Sequence, residues 1–219
     1  MQIENVYVGQ PRAVLWQGKS VLTSIYKHPI QGEVVVDPLN LAGDGQADLT
    51  VHGGVDKAVY TYPIEHYSFW RHQLPEVDLV GGIFGENLTT SGLLEETVAI
   101  GDLFRFGSAL LMAKQPRLPC FKLGIRFGDM QMVKRFQEAQ RTGIYFSVVQ
   151  PGVLAAGDRI ERIAAHPQQV PITEITRLYL ERSQDPVRLQ ALLRVEELPQ
   201  NWRDYFQERL ERMEEKQVE

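Results

Sequence analysis

The sequence predicts a mainly β domain followed by a small unit of three helices. Three observations carry that expectation. Through residue 165 the apolar residues fall in short runs rich in Val, Ile, Tyr and Phe, broken by Gly, Pro, Asn and Asp, which is the texture of strands and turns. Leu103-Phe104-Arg105-Phe106 and Ala109-Leu110-Leu111-Met112-Ala113 flank Gly107-Ser108, a two-residue link that signals a hairpin. Past His166-Pro167 and Pro171 the apolar spacing changes to three and four, the helical repeat. The division that follows is a β domain over 1–165 and a three-helix extension over 166–219.

Taken in order, Ile3, Val6 and Val8 suit a first strand, ended by Gly9-Gln10-Pro11. Further strands are expected at 24–27 and 33–36, punctuated by Pro29 and Pro38. Gly43-Asp44-Gly45-Gln46-Ala47-Asp48 is a polar turn region, and 58–62 is a strand. Pro63 suits the start of a helix because its φ is already helical. Tyr67, Trp70 and Leu74 then share a face, and Pro75 stops it. Phe84-Gly85-Glu86-Asn87-Leu88 reads as a turn followed by an edge strand. Asp129 is a suitable cap for a helix over 129–142, with Gly143 as its stop. Strands are expected at 144–149 and 159–163 around the Pro151-Gly152 turn. In the extension, Ile172, Ile175 and Leu178 mark one helix and Asp185-Pro186 opens a second. Leu198, Trp202, Phe206, Leu210 and Met213 mark a third.

Composition bounds the function. The chain has 219 residues, 43% of them hydrophobic, and a net charge of −5. That is enough apolar material for a sizeable core. The acidic balance argues against coating a nucleic-acid polymer, which requires many cations. One cysteine rules out an internal disulfide framework. No run nears the ~20 apolar residues of a membrane span, and no basic-then-apolar leader begins the sequence. The expected location is the cytoplasm. No strand–GxGxxG–helix fingerprint of a dinucleotide cofactor is present.

The chemistry is expected in Gln115-Pro116-Arg117-Leu118-Pro119-Cys120-Phe121-Lys122. The prolines stiffen the approach to the sulfur. Arg117 and Lys122 flank it, and positive charge favours the thiolate, the nucleophilic and metal-binding form. A lone cysteine is more often a small buried hydrophobe. In Val51-His52-Gly53-Gly54 the paired glycines let backbone amides approach an anion, or they make an ordinary turn. His52 suits proton transfer near neutrality, or it is a satisfied core residue.

Together, Gly43-Asp44-Gly45-Gln46-Ala47-Asp48, His52-Gly53-Gly54, Phe84-Gly85-Glu86-Asn87-Leu88, Gly101-Asp102 and Gln115-Pro116-Arg117-Leu118-Pro119-Cys120 resemble the MOSC domain. Their order and the helical tail resemble its YiiM branch. The resemblance covers nearly the whole chain. It implies a MOSC-type β-barrel and a molybdenum–pterin cofactor, the molybdenum cofactor, with Cys120 as the metal ligand. It also implies reduction of N-hydroxylated small molecules such as hydroxylaminopurine-type bases and amidoximes. Arg117 and Lys122 would counter the cofactor's phosphate. His52, Gly53 and Gly54 would line the pocket. Asn87 would bond the pterin edge or the substrate. His52 is the first choice of proton donor, with Asp56 and Glu86 behind it. The family also makes pyridoxal phosphate conceivable as a ligand. Electrons would come from a separate flavin or iron–sulfur protein, and a homodimer is the default assembly. The longer N-terminal region of the animal reductases is missing from this pattern, so cofactor contacts made there do not transfer. Two rivals stand beside this reading. One is a module that carries the cofactor, or its sulfur, without turnover. The other is a hydrolase with Cys120 as nucleophile, His52 as base and Asn87 as orienter.

Overall fold

The computed structural model describes residues 1–48, 53–181 and 185–218. The chain opens with β1 (Gln2–Val8), β2 (Arg12–Trp16), β3 (Lys19–Thr23), β4 (His28–Ile30) and β5 (Val34–Val36). After the loop come β6 (Val59–Pro63), α1 (Ile64–Gln73), β7 (Leu88–Ser91), β8 (Leu103–Phe106) and β9 (Ala109–Pro116). Next are α2 (Phe121–Phe127), α3 (Gln131–Ala139), β10 (Ile144–Gln150), β11 (Gly152–Leu154) and β12 (Ile160–Ala164). Three helices end the chain: α4 (Ile172–Leu180), α5 (Pro186–Leu193) and α6 (Gln200–Val218). No helix among the described residues is long and apolar enough to cross a membrane.

The main sheet has eight strands in the order β12-β8-β9-β10-β6-β7-β1-β4. It is antiparallel except where β6 meets β7, and α1 is part of the crossover that parallel pairing demands. The expected barrel does not appear as a closed ladder, because the free edge of β1 is divided. Val6, Tyr7 and Val8 pair with β4, while Gln2 makes only an isolated bridge to Arg159. Backbone bonds between Ile3 and the 157–158 turn, 2.7 and 2.9 Å, bring the start of β12 to β1 without extending the ladder. The fold is a mixed, sheet-dominated one with six helices among the described residues.

The hairpin of β8 and β9 forms around Gly107-Ser108 as expected. The segment 24–27 does not form a strand. Its backbone bonds locally instead, Ile25 N–H to Thr23 Oγ1 at 3.2 Å and Lys27 N–H to the Ile25 carbonyl at 3.1 Å. The strands lie on either side, and β2 and β3 form an unexpected hairpin. Its turn is Gln17-Gly18, with φ of 47° and 76°, the pair of left-handed residues that a two-residue link needs. The strand β7 is interior, not at an edge, held by β6 and β1. The helix expected over 129–142 is shorter. Asp129 does bond the Gln131 amide at 2.8 Å, but Gln140, at φ 52°, ends the helix. Gly143 serves the sheet instead, since a Cβ there would sit 2.3 Å from the Thr61 carbonyl oxygen.

Two apolar clusters fill the interior. Tyr62, Tyr67, Trp70, Phe84 and Phe136 dominate the one beneath α1 and α3. The other runs from Phe104, Phe106 and Phe146 of the sheet into Ile172, Leu189, Trp202 and Phe206 of the tail helices. Asp185 caps α5, accepting from the amides of Val187 and Arg188 at 3.0 and 3.2 Å, with Pro186 at the first turn as its sequence implied.

A buried polar chain ties α1 to the loops around it. The Nε2–H of His66 donates to Glu95, with 3.0 and 2.8 Å to the two oxygens. Arg141 Nη1 donates to His66 Nδ1 at 3.1 Å. A guanidinium only donates, so this contact assigns the imidazole tautomer. Burial pushes the Glu95 carboxyl up, but the hydrogen bonds it accepts from His66 and from the Gly143 amide outweigh it, leaving it below the ordinary value. A carboxyl lowered by folding stabilises the native state above its unfolded value, and that contribution is lost as pH falls through the folded value. Glu95→Gln should therefore be less stable than the wild type at about pH 7. The gap should narrow as pH drops from about 4.5 toward 2. Guanidinium chloride unfolding across that range measures it.

Candidate active site

β9 delivers the chain through Gln115 and Pro116 to Arg117, and Cys120 follows as the N-cap of α2. That helix was not expected, because it is seven residues long and carries Gly124 at its centre. Cys120 is a free, partly exposed thiol. It lines a solvent-open cavity of about 90 Å³.

Arg117, Lys122, Gly53 and Asn87 line the same cavity, so four of the residues singled out in the sequence meet Cys120 there. Gly54 does not line it and instead caps the short turn Val55–Lys57. His52 lies outside the described residues. Asp56 faces elsewhere, paired with Lys114 at 3.3 Å. Glu86 is sealed away from the cavity, accepting from Tyr67, from the Gly82 amide at 3.0 Å and from Thr89 at 3.2 Å. Burial pushes its carboxyl up.

Arg117 is only 7% exposed. Its guanidinium stands 5.3 Å from the Tyr60 ring centre and 5.4 Å from that of Phe136. Burial opposes its charge, and the facing Tyr60 and Tyr145 oxygens and the Cys120 sulfur more than offset that. Nη1 is buried without a hydrogen-bond partner, the kind of orphan that calls for a ligand or a trapped water. Tyr60 and Tyr145 pack at 4.9 Å. Burial raises both phenols while Arg117 pulls the other way, so both remain O–H donors.

The opposite wall is built on Asp44. Its Oδ1 accepts from Lys27 and from the Gly9 amide at 2.7 Å. Its Oδ2 accepts from Asn87 Nδ2 at 2.8 Å. Asn87 Oδ1 in turn accepts from the Tyr60 amide at 3.1 Å. The Asn87 amide is thus committed to the protein and positions Asp44, a different role from the ligand contact expected of it. Burial lowers the pKa of Lys27, and Asp44 and then Glu86 oppose this. Lys57 is lowered by burial against the pull of Asp56. Among the described lining residues, the cations Lys27, Lys57, Arg117 and Lys122 face one carboxylate. The cavity suits an anionic ligand.

Sequence reasoning missed Lys27, Asp44, Tyr60 and Tyr145 as wall residues. Asp44 had a usable signal, a carboxylate between two glycines, but it read as a turn. Tyr60 had none, because every residue of β6 is buried and no alternation marks one face.

The model of the MOSC domain matches residues 48–161, and that of the YiiM-like 3-alpha helix domain matches 170–212. Protein YiiM of Escherichia coli (strain K12) is 35% identical over 94% of this chain and 91% of its own length. The chain belongs to the YiiM family of MOSC-domain proteins. The crystal structure of YiiM from Geobacillus stearothermophilus superposes on it with a TM-score of 0.80 at 29% identity, covering 95% of this chain and 98% of that one. A protein of Gibberella moniliformis (strain M3125 / FGSC 7600) named "Reductase" is 34% identical over 83% of this chain, which spans 32% of that longer protein. The family match thus spans both the sheet that carries the cavity and the helices behind it.

Asn87→Ala should leave Asp44 Oδ2 and the Tyr60 amide unpaired in a buried wall. The expected loss is about 2 kcal/mol or more of folding stability, measured by urea unfolding.

Proposed function

We propose that this chain holds a molybdenum–pterin cofactor through Cys120 and reduces N-hydroxylated compounds to amines. One observation carries the reading: the partly exposed thiol of Cys120 and the buried Arg117, whose Nη1 has no hydrogen-bond partner, line one cavity. Thiolate is a soft ligand suited to redox metals. Among the described residues no group of three His, Cys, Asp or Glu could hold a metal ion, so one protein ligand fits a metal that arrives with its own organic ligand. The cationic walls fit that ligand's phosphate. The relative named as a reductase supports the direction of the chemistry.

When bound, the cofactor supplies the two-electron chemistry of R–NHOH + 2 e⁻ + 2 H⁺ → R–NH₂ + H₂O. The protein's own residues do the rest. Arg117 and Lys122 hold the phosphate, Arg117 with the geometry for a paired contact. The Tyr145 hydroxyl donates from the wall, while that of Tyr60 is spent on the Thr142 carbonyl at 2.8 Å. Lys27 Nζ, buried and with its proton loosened by that burial, is the described group suited to protonate the departing hydroxyl oxygen. His52, the first choice of proton donor from the sequence, stays a proposed donor beside it. Electrons arrive from a separate flavin or iron–sulfur protein. The hydrolase reading loses its orienting residue, because the amide of Asn87 is spent on Asp44 and Tyr60.

The test is molybdenum content and turnover in protein made in a cofactor-competent host, with a chemical reductant supplied. Wild type should hold the metal and reduce an N-hydroxylated base. Cys120→Ser should lose the metal and about 100-fold or more of the activity. Unchanged metal and turnover in Cys120→Ser would overturn the assignment. Stoichiometric metal without turnover in the wild type would mark a carrier instead.

A further inference from the structure

Lys27 also lines a second cleft, which is floored by Tyr26 and bordered by Arg12, His28 and Arg126. No carboxylate lines it among the described residues. The Arg12 guanidinium lies 3.8 Å from the Tyr26 ring centre, and that of Arg126 lies 5.0 Å from it. Among the described residues neither arginine has an ion pair. Arg126 Nε is buried without a hydrogen-bond partner. Gathering two like charges at one ring is unfavourable unless an opposite charge joins them. Arg126 shows the strain. Burial lowers its pKa, Tyr26 resists, Arg12 lowers it further, and Glu86, which does not line the cleft, resists as well.

These groups come from separate elements. Arg12 starts β2, Tyr26 to His28 bridge β3 and β4, and Arg126 ends α2, the helix that Cys120 caps. Lys27 is already neutralised by Asp44. Two unpaired guanidiniums therefore set the charge of the ligand, and they match a phosphate monoester of about −1.5 to −2 better than a carboxylate.

We propose that the Tyr26 cleft binds the phosphate monoester of a phosphorylated substrate whose other end reaches the Cys120 cavity past Lys27. The destination of that far end rests on the function proposed above; the phosphate site does not. The same chemistry is also carried by the pterin cofactor, and the experiment separates the two sources.

Full-length apo protein is titrated calorimetrically with inorganic phosphate, AMP and adenosine at two salt concentrations. Phosphate and AMP should bind saturably and more weakly at higher salt, and adenosine should not bind at the same concentration. Arg12→Gln, an exposed position, should weaken both anions about tenfold, and Arg126→Gln should do the same. Cys120→Ser should leave both affinities unchanged. Absence of saturable phosphate binding, or undiminished affinity in Arg12→Gln, overturns the proposal. Molybdenum content, measured on the holoprotein, is expected unchanged in both arginine variants; loss of metal in both assigns the cleft to the cofactor and overturns the substrate. A failure of the reductase reading would show in Cys120→Ser turnover and leave the phosphate titration standing.

Discussion

Four segments of this chain meet at the carboxylate of Asp44. The end of β1 reaches it through the Gly9 amide, the β3–β4 connection through Lys27, and the segment before β7 through Asn87. Asp44's own loop returns to the same point, with Gly45 N–H on the Gly9 carbonyl at 3.1 Å. A buried ion pair of this kind adds little net stability over a well-packed apolar substitute. Its consequence is positional. Each partner is fixed because leaving any one of them buried and unpaired would be costly. The wall opposite Cys120 is therefore set by polar geometry, while Tyr60 and Phe136 set the wall behind Arg117 by packing.

That division explains what could be read from the sequence. The β8–β9 hairpin was legible because its turn and both strands are contiguous. The three tail helices were legible because Leu189 and Leu192, or Trp202, Phe206 and Leu210, repeat at helical spacing. The approach to Cys120 was legible as a strand end followed by stiff prolines. What failed were features decided by distant partners. Gln17 adopts a left-handed φ that sequence statistics assign to Asn or Gly. The helix α2 is too short to show a period. Gly143 looked like a helix stop, and its real constraint is the carbonyl of Thr61 across the sheet. The barrel expectation came from resemblance, and the split pairing of β1 is invisible to any local window.

The cavity shows the same limit. Cys120, Arg117 and Lys122 are neighbours in sequence and were found together. Asn87 was found, but its partners were not, so its role came out differently: it holds Asp44 in place. Lys27 was the cation of a run that looked like an ordinary strand. Nothing local says that the chain bends there and turns its ammonium toward a carboxylate 17 residues away.

The tail bears on the reactive loop. Trp202 donates to Gln115 Oε1 at 2.8 Å, and Gln115 Nε2 donates to the Asp56 carbonyl at 3.1 Å. Gln115 stands two positions before Arg117, so a side chain from the last helix fastens the strand that aims the thiol. A gene fusion that kept the sheet and discarded these helices would strip the seam bare and unfasten the reactive loop from behind. The sheet and the tail are therefore fastened at the strand that carries the thiol loop, and a replacement for the tail would have to bring its own indole to the same spot.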